Sequence, residues 1–104
     1  MFGTITRARL KDGVTVSDLK AQFDTDDRPA SSLALIVLQS VDDPQEVWIA
    51  SAFESREAYF KNADSPEQNA RFERMQQLVE GGPPEWHDGN IVVLATESGV
   101  RAGS

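Results

Sequence analysis

A chain of 104 residues has room for one domain and one modest core. Its 17 Asp and Glu outnumber its 10 Lys and Arg, for a formal charge of -7 at pH 7, and that field argues against nucleic acid and anionic lipid as partners. Cysteine is absent and His87 is the single histidine, which excludes disulfides, thiolate nucleophiles, Cys-ligated metal and a multi-histidine metal site within one subunit.

Phe2 to Leu10 predicts a strand that ends at the turn pair Asp12-Gly13. Arg7 and Arg9 share a face of it with Ile5, because side chains alternate. Thr15 then opens a helix. Thr15-Val16-Ser17-Asp18 fits a capping box, and Val16, Leu19 and Phe23 form one helical stripe. Asp24 to Asp27 and Pro29 are expected to stop it. Ser32 to Val41 has Leu33, Leu35 and Val37 on one side and Ala34, Ile36 and Leu38 on the other, the pattern of a strand covered on both faces. Asp42-Asp43-Pro44-Gln45 turns the chain into the next strand, from about Glu46 to Glu54. Val47, Ile49 and Phe53 lie on one face of that strand, and Trp48, Ala50 and Ala52 on the other. A connection this short predicts antiparallel pairing.

Ser55 to about Glu80 predicts a helical region broken at Asn62-Ala63-Asp64. Its second part starts at Ser65 as N-cap, with Pro66 at the first helical position and Gln68 closing a capping box. Phe72, Met75 and Val79 form its expected buried stripe, with Leu78 alongside, and Gly81-Gly82-Pro83-Pro84 ends it. The turn signal Asp88-Gly89 places the last strand at about Asn90 to Glu97, and Gly99 to Ser104 reads as a frayed tail. No apolar run approaches the roughly 18 residues of a membrane span. Met1-Phe2-Gly3-Thr4 lacks the features of a signal peptide, so a cytoplasmic location is the default expectation.

The order strand, helix, strand, strand, helix, strand is that of an α+β, ferredoxin-like βαββαβ fold with a four-stranded antiparallel sheet. It is expected over residues 1–97, with 98–104 as a flexible C-terminal tail. Right-handed crossovers put both helical segments on one sheet face. The other face is bare and is expected to carry large apolar side chains from the second and fourth strands. Covering several hundred Å² of it is worth roughly ten kcal/mol before association costs, so a homodimer through the sheet faces is expected.

The run Val47-Trp48-Ile49-Ala50-Ser51-Ala52-Phe53-Glu54-Ser55-Arg56-Glu57-Ala58-Tyr59 resembles the third strand and following helix of antibiotic biosynthesis monooxygenase-like domains. Pro84-Glu85-Trp86-His87-Asp88-Gly89 resembles the approach to their last strand. The resemblance extends in layout over roughly residues 1 to 97. It implies a dimeric α/β barrel with a cavity between sheet and helices in each subunit. Some members oxidise aromatic polyketides with dioxygen and no metal or flavin, others degrade haem, and many have no established activity. Haem degradation is usually supported by an asparagine on the first strand, a tryptophan, and a histidine on a helix. The predicted first strand here has no Asn, and His87 falls in a predicted turn, so the haem branch is disfavoured.

Two residues are candidate catalytic groups. His87 beside Asp88 is an oriented base or a turn histidine bonded to its neighbour. Glu54 is a carboxylate with raised pKa in an apolar cavity or a charge at a helix start. For substrate binding, Trp48 and Trp86 stack on an aromatic ligand or pack in the core, and Tyr59 lines a cavity mouth or packs with Phe60. Arg7 and Arg9 hold an anionic or phenolate oxygen or serve as edge charges. The acidic stretch Asp24, Asp26 and Asp27 reads as a solvated loop, and no metal site or cofactor is expected. The functional expectation is a cofactor-independent monooxygenase acting on a small phenolic or quinonoid aromatic. The alternative is a non-catalytic dimeric α/β barrel that binds a small apolar molecule.

Overall fold

The computed structural model describes residues 1–23, 29–80 and 85–103. β1 (Phe2–Arg9) leads through α1 (Val16–Phe23) to β2 (Ser32–Gln39) and β3 (Glu46–Phe53). Then come α2 (Arg56–Ala63), α3 (Pro66–Gln76) and β4 (Glu85–Asn90), and finally β5 (Val93–Thr96) and β6 (Gly99–Ala102). The first four sheet strands form one antiparallel sheet in the order β2-β3-β1-β4, the expected α+β, ferredoxin-like arrangement.

The helices begin where the sequence places their starts. At α1 the Thr15 hydroxyl accepts from the Asp18 amide (3.3 Å) and Asp18 Oδ2 accepts from the Thr15 amide (2.8 Å), so both arms of the capping box form. Ser55 caps α2 by accepting from the Ala58 amide at 3.0 Å. Ser65 caps α3 by accepting from the Gln68 amide at 3.1 Å. The return arm expected of Gln68 does not form. The Ser65 amide donates instead to the Asn62 carbonyl (3.0 Å), and Gln68 Oε1 accepts from Asn62 and Arg71. The close approach of α2 to α3 supplies a backbone acceptor before the side chain is needed.

The core sits at one end of the sheet. Leu10, Leu19, Val47 and Val79 are buried together, with Phe23, Val37, Met75 and Leu78 packed around them. After α3 the chain runs back along the end of β1. The Lys11 amide donates to the Leu78 carbonyl (2.9 Å) and the Glu80 amide to the Arg9 carbonyl (2.7 Å), which pins the end of α3 over that core. A register shift between Ser32 and Ala34 makes Leu33 the extra residue of an irregularity, so it falls out of the predicted alternation with Leu35 and Val37.

The last sheet strand is not where hydrophobicity puts it. β4 is the polar run Glu85–Asn90, wholly exposed, rather than Asn90 to Glu97. The Asp88-Gly89 pair lies inside this strand, with Gly89 opposite Gly3 and Asp88 opposite Thr4. The threonines of β1 meet β4 with hydrogen bonds. The Thr6 hydroxyl donates to the Glu85 backbone carbonyl (2.6 Å) and the Thr4 hydroxyl to the Asp88 carboxylate (2.7 Å), so both buried hydroxyls find their acceptors on this strand. The apolar run that follows makes a separate two-stranded hairpin, β5 with β6. Its turn uses Gly99 at φ 129, a conformation that strains other residues. Gly99–Ala102, read from the sequence as part of a frayed tail, is thus in a strand. The hairpin is tied down by the Ile91 amide on the Met1 carbonyl (3.0 Å) and by an Arg101–Glu54 ion pair at 3.2 Å.

The sheet face away from the helices carries Ile5, Ile36 and Leu38, each 54% exposed, beside half-buried Trp48 and Ala50. Its apolar side chains come from β1, β2 and β3. The fourth strand, expected to contribute, presents Glu85 and His87 there instead. Among the described residues no helix is long and apolar enough to cross a membrane. The predicted helix stops at Asp24 to Asp27 and Gly81 to Pro84, and the acidic loop Asp24, Asp26 and Asp27, lie outside the described residues.

Candidate functional site

Strand alternation decides which side chains meet the helices. Phe2, Thr4, Thr6 and Ala8 of β1 pair in register with Phe53, Ser51, Ile49 and Val47 of β3. Thr4 and Thr6 also pair with Asp88 and Trp86 of β4. The core fills one end of this face. The rest, roofed by α2 and α3, encloses a cavity of about 680 Å³ lined by Leu35, Ile49, Phe53, Phe72, Met75 and Trp86 among its apolar groups. That is within the ordinary range for a small-molecule site, about 300–1,000 Å³.

One wall of the cavity is polar. Asp88 Oδ1 accepts from the Thr4 hydroxyl at 2.7 Å and from the Tyr59 hydroxyl at 3.2 Å. Tyr59 reaches it because its ring is wedged among Phe2, Phe53 and Phe60, with centroids 5.1, 5.5 and 5.0 Å away. Burial pushes the Tyr59 phenol above its ordinary pKa. A hydrogen bond with Thr4 opposes this, while the charge of Asp88 and the bond to it add to the rise. The phenol therefore stays protonated at neutral pH and acts as a donor. Across the cavity Phe72 and Trp86 face each other at 6.5 Å and 35° between planes, with Trp86 46% exposed at the open side. Asn62, Gln68, Arg71 and Arg74 line the roof. The arrangement can hold a flat aromatic ring against Trp86 and Phe72 and present its polar edge to Asp88 and Tyr59.

Of the residues the sequence singles out, Tyr59 and Trp86 line this cavity and the other five do not. His87 is in a strand, not a turn. Alternation turns it to the open face, where Nε2 lies 3.4 Å from Glu85. Glu54 is exposed at the end of β3, and its bond to Arg101 holds its carboxyl below the usual range, opposite to the rise expected of a cavity carboxylate. Trp48 pairs with Arg7 and Leu38 on the open face. Arg7 meets Glu46 at 2.5 Å, and Arg9 meets Asp43 at 2.5 Å and Glu80 at 3.5 Å, so both arginines are in exposed ion pairs and neither lines this cavity. The sequence reading missed Thr4 and Asp88 as site residues. The signal lay in two alternations: Thr4 and Thr6 against Ile5 and Arg7, and Trp86 and Asp88 against His87.

This is a small α+β domain whose sheet and helices enclose a ligand-sized cavity. No family model matches the chain, and no curated protein matches it in sequence. Solved structures do match in fold. SnoaB from Streptomyces nogalater, a cofactor-independent oxygenase, superposes with a TM-score of 0.71 at 10% identity, over 85% of this chain and 89% of that one. A protein from Chloroflexus aurantiacus named "putative antibiotic biosynthesis monooxygenase" gives 0.68 at 21% identity, over 85% and 89%. Another from Nitrosomonas europaea gives 0.68 at 17%, over 86% and 96%. The fold is therefore that of the antibiotic biosynthesis monooxygenase-like domain.

Proposed function

We propose that the chain is a cofactor-independent monooxygenase acting on a small phenolic or quinonoid aromatic, and that it works as a homodimer. The observation that carries this is the cavity itself: about 680 Å³, walled by aromatic and aliphatic side chains, with one acid and one phenol hydrogen-bonded on a single wall. Such a site binds a flat ring, removes it from water and leaves a polar edge to hold an acidic hydrogen. In the reaction, an activated ring methylene loses its proton, and the resulting electron-rich anion reduces dioxygen directly. One oxygen atom becomes the new carbonyl, and the other leaves as water with the two hydrogens of that carbon. Positioning and desolvation are what the protein supplies. The likeness in fold to SnoaB supports this reading.

The dimer follows from the open sheet face, where Ile5, Ile36 and Leu38 stand exposed around Trp48. A second copy packed face to face would take this surface out of water.

Oxygen uptake with dithranol-type anthrones tests the activity. Consumption equimolar with quinone formed is the expected result. Inactivity across a broad panel of phenols, anthrones and hydroquinones would sink it. His87 and Glu54 both stand outside the cavity, and this favours a second reading, a barrel that binds a small apolar molecule without turnover. Quenching of tryptophan fluorescence by the same panel, with no product, is its signature. Haem has less support. The single histidine faces away from the cavity, and a Soret region unchanged on haem titration is expected.

A further inference from the structure

We propose that Asp88 is the proton acceptor of the cavity, held in place by Thr4 and Tyr59, and that it takes the acidic hydrogen of an aromatic carbon acid or phenol. This rests on the oxygenase reading and gives it a residue. The charged and titratable groups on the cavity lining are Arg71, Arg74, Tyr59 and Asp88. A guanidinium has no basic lone pair at neutral pH, and the Tyr59 phenol keeps its proton. Asp88 is thus the one carboxylate and the one ready Brønsted base among the described lining residues.

Its geometry fits the role. Both hydrogen bonds, from Thr4 at 2.7 Å and Tyr59 at 3.2 Å, fall on Oδ1. Oδ2 accepts none among the described residues, so that oxygen is left for a ligand. Two donors on one oxygen fix the plane of the carboxylate, as an orienting group does for a general base. Trp86 lies two residues back on the same face of β4, so a ring stacked there has its edge near Asp88.

The step balances by itself. The ligand C–H or O–H bond breaks, an O–H bond forms on Asp88 Oδ2, and the electron pair stays on the ligand as enolate or phenolate. Negative charge moves from the protein to the ligand and none is created. Dioxygen enters only afterwards.

The experiment is hydrogen exchange at the methylene of anthrone in deuterium oxide under nitrogen, followed by proton NMR. Anthrone binding is measured separately by quenching of Trp86 in a Trp48→Phe background. The wild type is expected to speed exchange above buffer. Asp88→Asn is expected to slow the enzymatic exchange about a hundredfold or more while binding changes by a few-fold at most. Thr4→Val should fall between the two, and its circular dichroism should match the wild type. It serves as the test if Asp88→Asn does not fold, and an unchanged exchange rate in it would then overturn the proposal. Wild-type exchange in Asp88→Asn, or bound anthrone that exchanges no faster than in buffer, would also overturn it. Aerobic oxygen uptake on the same samples separates the two ideas. Exchange without uptake removes the oxygenase reading and keeps Asp88 as the base. Uptake without exchange does the reverse.

Discussion

Tyr59 is the only tyrosine in the chain, so phenolate absorbance reports this one hydroxyl. Its ionisation is expected above the ordinary tyrosine value of about 10. Asp88→Asn removes a nearby negative charge and a charged acceptor, both of which raise it, so the midpoint should move down. A spectrophotometric titration of the two proteins settles the sign. The same shift has a consequence for stability. Because the folded pKa is raised, the contribution of Tyr59 is intact below the ordinary tyrosine pKa and is lost as pH rises through the folded midpoint. Urea midpoints should therefore fall on the alkaline side, and less so in Tyr59→Phe. At the ligand, Trp86→Ala is expected to weaken aromatic binding about tenfold, roughly 1.4 kcal/mol of lost stacking and area, as read by a calorimetric titration. Trp48→Phe should leave affinity unchanged, because Trp48 stands on the far side of the sheet. The sequence treats the two tryptophans alike. What separates them is strand parity, and parity is readable only once each strand's register is known.

At the scale of elements, local chemistry was the legible part. Thr15, Ser55 and Ser65 mark three helix starts in the sequence, and all three cap in the structure. β2 and β3 carry enough apolar residues that their pairing followed from the short turn between them. β4 was not legible, because it is a polar, exposed run that joins the sheet through its backbone ladder with β1 and carries no apolar alternation of its own. Placing that strand too late turned His87 into a turn residue and hid Asp88. Ser65→Ala is expected to lower stability by about 1 kcal/mol, since it removes the hydroxyl that accepts from the Gln68 amide and donates to the Asn62 carbonyl, and thermal melts would show it. The hairpin gives a further test. Arg101 holds the Glu54 carboxyl below the ordinary glutamate value, so the attraction is present above that value and fades as pH falls through the folded midpoint. A carbon-detected titration of the Glu54 carboxyl should show a low midpoint that returns to normal in Arg101→Gln.

For the molecule as a whole, the sheet has two apolar faces and the helices cover one. The covered face is shared between a core at one end and a cavity at the other, so the fold has no surplus of helix to shield Ile5, Ile36 and Leu38. A second copy can do this with no further element, because a two-fold axis through the face brings the same apolar patch to itself. Mass action then makes stability depend on concentration. The melting temperature of the wild type is expected to rise as protein concentration is raised from about 1 to 100 μM, by mass action on the dimer. Leu38→Glu puts a charge in the middle of the patch, and the same charge recurs across the axis. It should therefore sediment as a single chain, with a melting temperature that no longer follows concentration. The substitution lies on the opposite side of the sheet from Asp88, Tyr59 and Trp86, so the monomer should still quench on binding an aromatic ligand. A wild type that sediments as one chain at micromolar concentration, with Ile36 and Leu38 open to solvent, would show that the sheet tolerates its bare face.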